Sequence, residues 1–293
     1  MNKSSEPVYT PLTNAHIEEL ASIVGKANLI YDDPDRLQAF SHDEAAHCQN
    51  VLPEAVIRPA NAQEISDILR FANRYHIAVT ARGAGSGLSG GAVPLYRGLV
   101  LDCSRMSRIL EIDRDNLTIT VEPGVITSEI NEMLRPYGLF YAGYPMSLET
   151  CMIAGNVAEN AGGGKAVKYG VTGRYVLGLE VVTAEGEIVN LGGKLVKDVS
   201  GLNLLQLMVG SEGILGIFSK IILKLLPLPK ANVDLLCLFD SVQTAISVVP
   251  KIIAARPFSD PESSPPPQTM WATGKYARVT QMPAKASQVP YLT

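Results

Sequence analysis

Between Arg82 and Gly91 the chain reads Arg-Gly-Ala-Gly-Ser-Gly-Leu-Ser-Gly-Gly, five glycines in ten positions. Glycine takes up positive φ without steric cost, so successive backbone N–H groups in such a stretch can turn toward one point and make a nest for an anion such as a pyrophosphate. Ser86 and Ser89 add hydroxyl donors. Gly85-Ser86-Gly87-Leu88-Ser89-Gly90 also satisfies G-x-G-x-x-G, the dinucleotide fingerprint of doubly wound sheets. That fingerprint requires a helix N-terminus directly after the loop and an acidic residue about 20 positions further on. Here Pro94 and a second strand, Gly98–Asp102, follow instead, so the fingerprint fails on context while the anion nest survives.

The flanking pattern places this loop in an α/β layer. Glu54–Arg58 is a short apolar strand candidate, and Asn61 is positioned to cap a helix whose apolar residues Ile65, Ile68, Leu69 and Ala72 recur at helical spacing. Ile77–Thr80 is a β-branched strand running into the loop, and Arg108–Asp113 and the alternating Leu117–Glu122 are further strands. Ser128–Leu134 and Leu204–Met208 have helical patterns. Leu177–Thr183 and Glu187–Val189 predict a hairpin turning at Ala184-Glu185-Gly186, and Ile217–Leu226 is a long apolar strand closed by Pro227 and Pro229.

Two further small-residue clusters sit in this frame. Tyr144–Gly164 contains Pro145, Ser147, Thr150, Gly155, Asn156, Asn160 and Gly162, with few bulky residues between them. That suits backbone and amide contact with a flat, hydrogen-bonding ring. Gly210–Ile217 again puts glycines just before a strand, where backbone groups can pair with a base edge.

Composition narrows the classes. A net charge of −4 provides no basic field for nucleic acid, and no apolar run reaches transmembrane length. The expectation is a soluble, cytoplasmic protein. Cys48, Cys103, Cys151 and Cys237 lie too far apart for a zinc or iron–sulfur ligand set and are expected to be free thiols. His42, Asp43, Glu44 and His47 read as a solvated connector, and no metal site is expected.

Three glycine loops in this order resemble the FAD-binding domain of the vanillyl-alcohol oxidase and p-cresol methylhydroxylase superfamily, closest to its glycolate oxidase FAD subunit and D-lactate dehydrogenase group. The residues that carry the resemblance are Arg82–Gly91, Pro123–Gly124, Pro145–Gly163, Lys168–Gly170 and Gly210–Ile217, and the likeness covers roughly residues 20–255. It implies an α+β fold of two lobes with FAD between them. By matching motifs, Gly83, Ala84, Gly85, Ser86, Gly87, Leu88 and Ser89 would hold the pyrophosphate. Pro145, Ser147, Thr150, Gly155, Asn156, Asn160 and Gly162 would contact the flavin and ribityl portions, and Gly213 and Ile217 the adenine side. None of these loops contains a histidine, so a histidyl link is excluded and non-covalent FAD is expected, with Cys151 the remaining attachment candidate.

The resemblance also implies hydride transfer from a small D-2-hydroxy acid to the flavin, and partner subunits of a glycolate-oxidase-like complex. In such relatives the base and metal ligands come from a C-terminal substrate domain rich in histidines and acids. No histidine follows His76 in this chain. Arg82, Lys165, Lys168 and Arg174 are candidates for binding a carboxylate, and the catalytic residues stay unknown. The expected organisation is a helical lead-in over residues 1–52, an FAD-binding domain over 53–229, the start of a truncated substrate domain over 230–256 and a disordered tail over 257–293. Val233–Asp240 and Gln243–Ala255 are the strand and helix of that third part, with Pro250 expected to break or kink the helix. The tail holds seven prolines and has no sustained period. Two functions fit this reading: an FAD-dependent hydroxy-acid oxidoreductase, or a non-catalytic flavin-binding remnant or subunit that needs a partner chain.

Overall fold

A computed structural model of the chain describes residues 8–229, 233–255, 269–273 and 276–281. The first lobe is a four-stranded sheet. In chain order its elements are α1 (Asn14–Val24), β1 (Leu29–Ile30), α2 (Pro34–Gln38), β2 (Ala55–Ile57), α3 (Ala62–Tyr75), β3 (Val79–Arg82) and β4 (Leu99–Asp102). The strand order is β1-β2-β4-β3, with β2, β4 and β3 parallel and β1 antiparallel at the edge. β2 and β3 run parallel in one sheet, which needs a crossover; α3 supplies it, and β4 enters between them. Asn61 caps α3 by accepting from the Glu64 N–H at 2.9 Å, and His76 ends it in the left-handed conformation. Ile65, Ile68, Leu69, Phe71 and Ala72 line its buried face against Ile57, Leu99 and Leu101. Each large aliphatic side chain buried this way contributes about 1.5–3 kcal/mol.

The lead-in belongs to this lobe rather than standing apart. Leu20 and Val24 of α1 and Leu29 of β1 enter the same core, because an exposed edge on β2 would leave its ladder unpaired.

The second lobe is built from β5 (Ile109–Asp113), β6 (Thr118–Val121), α4 (Thr127–Leu134), β7 (Leu139–Phe140), α5 (Ile153–Ala158), α6 (Ala166–Tyr169), β8 (Val176–Val182), β9 (Ile188–Gly192), α7 (Leu204–Met208), β10 (Ile217–Lys224) and β11 (Leu226–Pro227). Its main sheet is antiparallel in the order β5-β6-β10-β8-β9, and β7 pairs with β11. α5 lies inside the second glycine cluster and α6 just after it, where the sequence predicts only loop. Burial of Ile153 and Val157, one helical turn apart, overrides the weak local propensity of the intervening glycine and asparagine.

The two lobes are welded where β8 ends and β10 begins. Val182 and Ile217 pack into the core of the first lobe. The β8–β9 turn also docks on α3, with Asn73 Nδ2 donating to the Ala184 carbonyl at 2.6 Å. Gly186 in that turn has φ +82, and a Cβ there would lie 2.8 Å from the Ser66 carbonyl, so both the turn and the approach require glycine.

Beyond this module, β12 (Val233–Leu238), α8 (Val242–Ala255), β13 (Thr269–Thr273) and β14 (Tyr276–Gln281) form a three-stranded antiparallel sheet of order β12-β14-β13 with one helix. α8 continues through Pro250. The turn before the proline carries Ile246, exposed to 56%, where a carbonyl that loses its intrahelical donor can meet water. β13 and β14 lie within the stretch expected to be disordered, and the rest of that stretch is outside the described residues. β14 lies between β12 and β13 and pairs with both, so each short segment has a ladder partner. Among the described residues no helix is long and apolar enough to cross a membrane.

Candidate cofactor site

A cavity of about 770 Å³ opens between the lobes, well within the range of small-molecule and cofactor pockets. The glycine loop after β3 forms one wall, contributing every residue from Gly83 to Ser89. This loop is held from beneath by Arg82, which is buried at 7% exposure. Its Nη1 donates to the carbonyls of His42 at 2.7 Å and Ala92 at 3.2 Å, and its Nη2 to that of Ala39 at 3.2 Å. The guanidinium also lies over the Phe40 ring, 5.6 Å from its centroid. Burial lowers its pKa, with Asp102 and then Asp43 opposing the shift. Gly85, at φ +72, crosses directly over this group, and a Cβ at that position would fall on the guanidinium.

Arg82 is therefore committed to the chain's own carbonyls and is not free to bind a substrate carboxylate. The connector around residue 43 changes meaning too. Asp43 is buried, its Oδ1 accepts from the Ala45 N–H and its Oδ2 from the Gly90 N–H, each at 2.9 Å, so it staples the far end of the loop. Among the described residues no group of three or more metal-ligating side chains comes together.

From Ala84 to Ser89 no backbone N–H donates to an acceptor among the described residues. Half-buried backbone donors normally find partners, so the run without one from Ala84 to Gly87, in a loop that lines a cavity, is suited to an external acceptor.

The opposite wall comes from the second cluster. Tyr141 Oη donates to the Gly143 carbonyl at 2.7 Å, and Thr172 Oγ1 lies 2.8 Å from that carbonyl and from that of Ala161. These bonds set the segment so that Pro145, Met146 and Ser147 face the cavity. Asn156, buried at 3% exposure, donates from Nδ2 to Thr127 Oγ1 at 2.6 Å. Gly155 and Gly162 leave room beside it, and Gly213 and Ile217 close the third side.

Two residues of the sequence reading stand elsewhere. Thr150 turns its hydroxyl to the Ser147 carbonyl at 3.2 Å, and Asn160 accepts from the Gly173 N–H at 2.9 Å. Neither lines the cavity; both brace the loops that do. Lys165, Lys168 and Arg174 are also absent from its walls. Lys165 and Lys168 lie over the rings of Tyr144 and Tyr169, and burial, helped by Lys165, brings the Lys168 pKa down to about 8.

What sequence reasoning missed is the acidic part of the wall: Asp43, Glu44, Glu159 and Glu212. They come from three distant segments, and no local motif links them. Glu159 follows α5 and its Oε1 accepts from the Ser89 hydroxyl at 2.9 Å. Burial raises its pKa; the Ser89 bond opposes this, while Glu212 and Asp43 add to it. Cys103 and Cys151 also line the cavity as buried free thiols. Burial, reinforced by Asp102, pushes Cys103 up to about 12, so that thiol stays protonated. Cys151 is in contact with Thr127 Oγ1 at 3.3 Å.

Comparison with known proteins agrees with this geometry. Residues 53–192 match the family model described as FAD binding domain. The glycolate oxidase subunit GlcD of Bacillus subtilis is 45% identical over 239 residues, which cover 82% of this chain and 50% of the relative. A D-lactate dehydrogenase of Anaerostipes hadrus is 36% identical over 247 residues, covering 84% and 51%. Among solved structures, p-cresol methylhydroxylase with substrate bound superposes with a TM-score of 0.75 at 17% identity, covering 93% of this chain and 61% of that one. The architecture is thus of the p-cresol methylhydroxylase type. The chain spans about half the length of the curated relatives it matches.

Proposed function

Since residues 53–192 are an FAD binding domain, we propose that this chain is the flavin-holding part of an FAD-dependent oxidoreductase acting on small D-2-hydroxy acids such as glycolate or D-lactate. The observation that carries the reading is the run of backbone N–H groups from Ala84 to Ser89 without a partner among the described residues, in a loop that lines a cavity of about 770 Å³. An FAD diphosphate needs such donors, and a bulky side chain in the loop would block its approach.

Gly83–Ser89 hold the diphosphate. Pro145, Ser147, Gly155, Asn156 and Gly162 orient the ring and ribityl chain, with Thr150 and Asn160 supporting them from behind. Gly213 and Ile217 take the adenine side. When bound, FAD supplies the two-electron acceptor for the hydride of the hydroxy acid. Attachment is non-covalent: no histidine lines the cavity among the described residues, and Cys151 is buried against Thr127. The FAD-binding module runs over residues 53–229, completed by the lead-in that packs on β2.

A second reading, in which the module needs a partner chain or a further domain for turnover, is favoured by one observation. Leu195, Val196, Val199 and Leu202 are each exposed by 65% or more in one short segment. Apolar surface of that kind commonly marks a place where other polypeptide packs. Anaerobic addition of glycolate, D-lactate or D-2-hydroxyglutarate to the FAD-loaded protein separates the two. Bleaching of the flavin band supports the complete oxidoreductase, and an oxidised band that persists with all three supports the partner-dependent module.

A further inference from the structure

The loop that offers its N–H groups to a diphosphate faces carboxylates. Of the charged side chains lining the cavity, Asp43, Glu44, Glu159 and Glu212 are acidic. Arg82 is the single cation among the described residues there, and its guanidinium lies beneath the loop on the carbonyls of Ala39, His42 and Ala92. A flavin diphosphate is fully ionised near neutral pH, so it enters a wall of its own sign.

The acids are not equivalent. Asp43 accepts backbone N–H bonds on both oxygens, from Ala45 and Gly90, and is fixed in place. Glu212 sits in the left-handed backbone region at φ 54 beside Gly213. Glu159, unlike Asp43, bonds a side chain of the anion loop, accepting from Ser89 Oγ at 2.9 Å. A Cβ on Gly91 would lie 3.1 Å from the same Glu159 oxygen, so that oxygen lies close against the loop. The groups that face it are the Ser89 hydroxyl, Glu212 and Asp43.

We propose that Glu159 is a proton-linked latch for the cofactor: ionised, it holds Ser89 and repels the diphosphate, and on loading of FAD it takes up one proton. The protonated carboxyl becomes a hydrogen-bond donor, so repulsion gives way to a bond to Ser89 or to a phosphate oxygen. The partly buried site and its two acidic neighbours already move Glu159 toward the neutral form. A further anion raises its pKa again. The sign follows from linkage: binding that raises a pKa takes up protons, so affinity falls as pH rises from the free value through the bound value. The inference rests on the FAD-binding reading of the cavity.

The test is titration of apo-protein with FAD, followed by quenching of flavin fluorescence, from about pH 5.5 to about pH 8.5, above the ordinary carboxylate range. Calorimetry in two buffers of different ionisation enthalpy counts the protons. The expected wild-type result is a Kd that rises with pH, by up to about tenfold per unit where one proton is linked. Proton uptake should approach one in the same window. Glu159→Gln keeps a partner for Ser89 but cannot ionise; it should bind FAD tightly across the range, with a flat profile and no proton uptake. Tight FAD binding with a pH-independent wild-type Kd overturns the latch and leaves the flavin reading standing. A Glu159→Gln variant with the wild-type slope also overturns it, because another group then carries the proton. No binding of FAD by the folded protein at any pH overturns the flavin reading and the latch together.

Discussion

Gly85 and Gly87 stand two residues apart in the same loop and are expected to answer alanine differently. Gly85→Ala forces a side chain onto φ +72 and into the Arg82 guanidinium. It should cost stability by about 1–3 kcal/mol, read as a lower midpoint in urea unfolding. At Gly87 the φ is ordinary, and a new Cβ meets nothing nearer than Asp43 Oδ2 at 4.0 Å. Gly87→Ala should therefore unfold within about 0.5 kcal/mol of wild type, yet weaken FAD at least about tenfold. Gly155 sharpens the contrast, since a Cβ there meets nothing within 4 Å and the residue is helical. Gly155→Ala should raise stability by up to about 1 kcal/mol while lowering FAD affinity, with melting and fluorescence titration as the paired readouts. Affinity unchanged in both variants would mean that the cofactor backbone does not pass these positions. At Cys151, acid precipitation of FAD-loaded protein should release all flavin to the supernatant; yellow colour left in the pellet would show covalent attachment. The glycine nest itself was legible, because glycine spacing reports directly on backbone freedom. Glu159 and Asp43 were not, because their role comes from meeting Ser89 and Gly90 across 70 and 47 residues of chain.

The elements divide along the same line. α3 was readable from Asn61 and the recurrence of Ile65, Ile68, Leu69 and Ala72, and its cap is in place. Asn61→Ala should lower stability by about 1 kcal/mol in urea unfolding; a change near zero would mean that the exposed N-terminus is capped equally well by water. β10 was readable because eight residues rich in Ile, Phe and Leu leave little alternative to a central strand. α5 was hidden, since a six-residue helix containing Gly155 and Asn156 has no local reason to form. It exists because Ile153 and Val157 find the second core and Asn156 finds Thr127. β13 and β14 were hidden for a related reason. Each is five or six residues long; they pair with each other, and the distant strand β12 that adds a second ladder to β14 lies outside their sequence window. In α8, where Pro250 is expected to break or kink the helix, the helix continues through it, one lost bond near a turn open to solvent being tolerated.

Across the whole molecule, the two-lobed α+β architecture followed from motif order, and its similarity to p-cresol methylhydroxylase agrees. The resemblance already set the loops near 85, 146, 156 and 213 around one cofactor between the lobes; the acidic wall of Asp43, Glu44, Glu159 and Glu212 was not visible, because it combines three distant segments. Turnover belongs to this scale as well. The proposed hydroxy-acid oxidation is tested there by the anaerobic additions, the chain spanning about half the length of the curated relatives it matches. The central claim is narrower, namely that the loop after β3 and the second glycine cluster together hold dissociable FAD. The most direct measurement is the absorption spectrum of the protein after incubation with FAD and removal of free cofactor by gel filtration. A flavin band that elutes with the protein at about one equivalent, and is lost in Gly87→Ala while that variant remains folded, is the predicted result. A folded wild-type protein that elutes colourless would contradict the account.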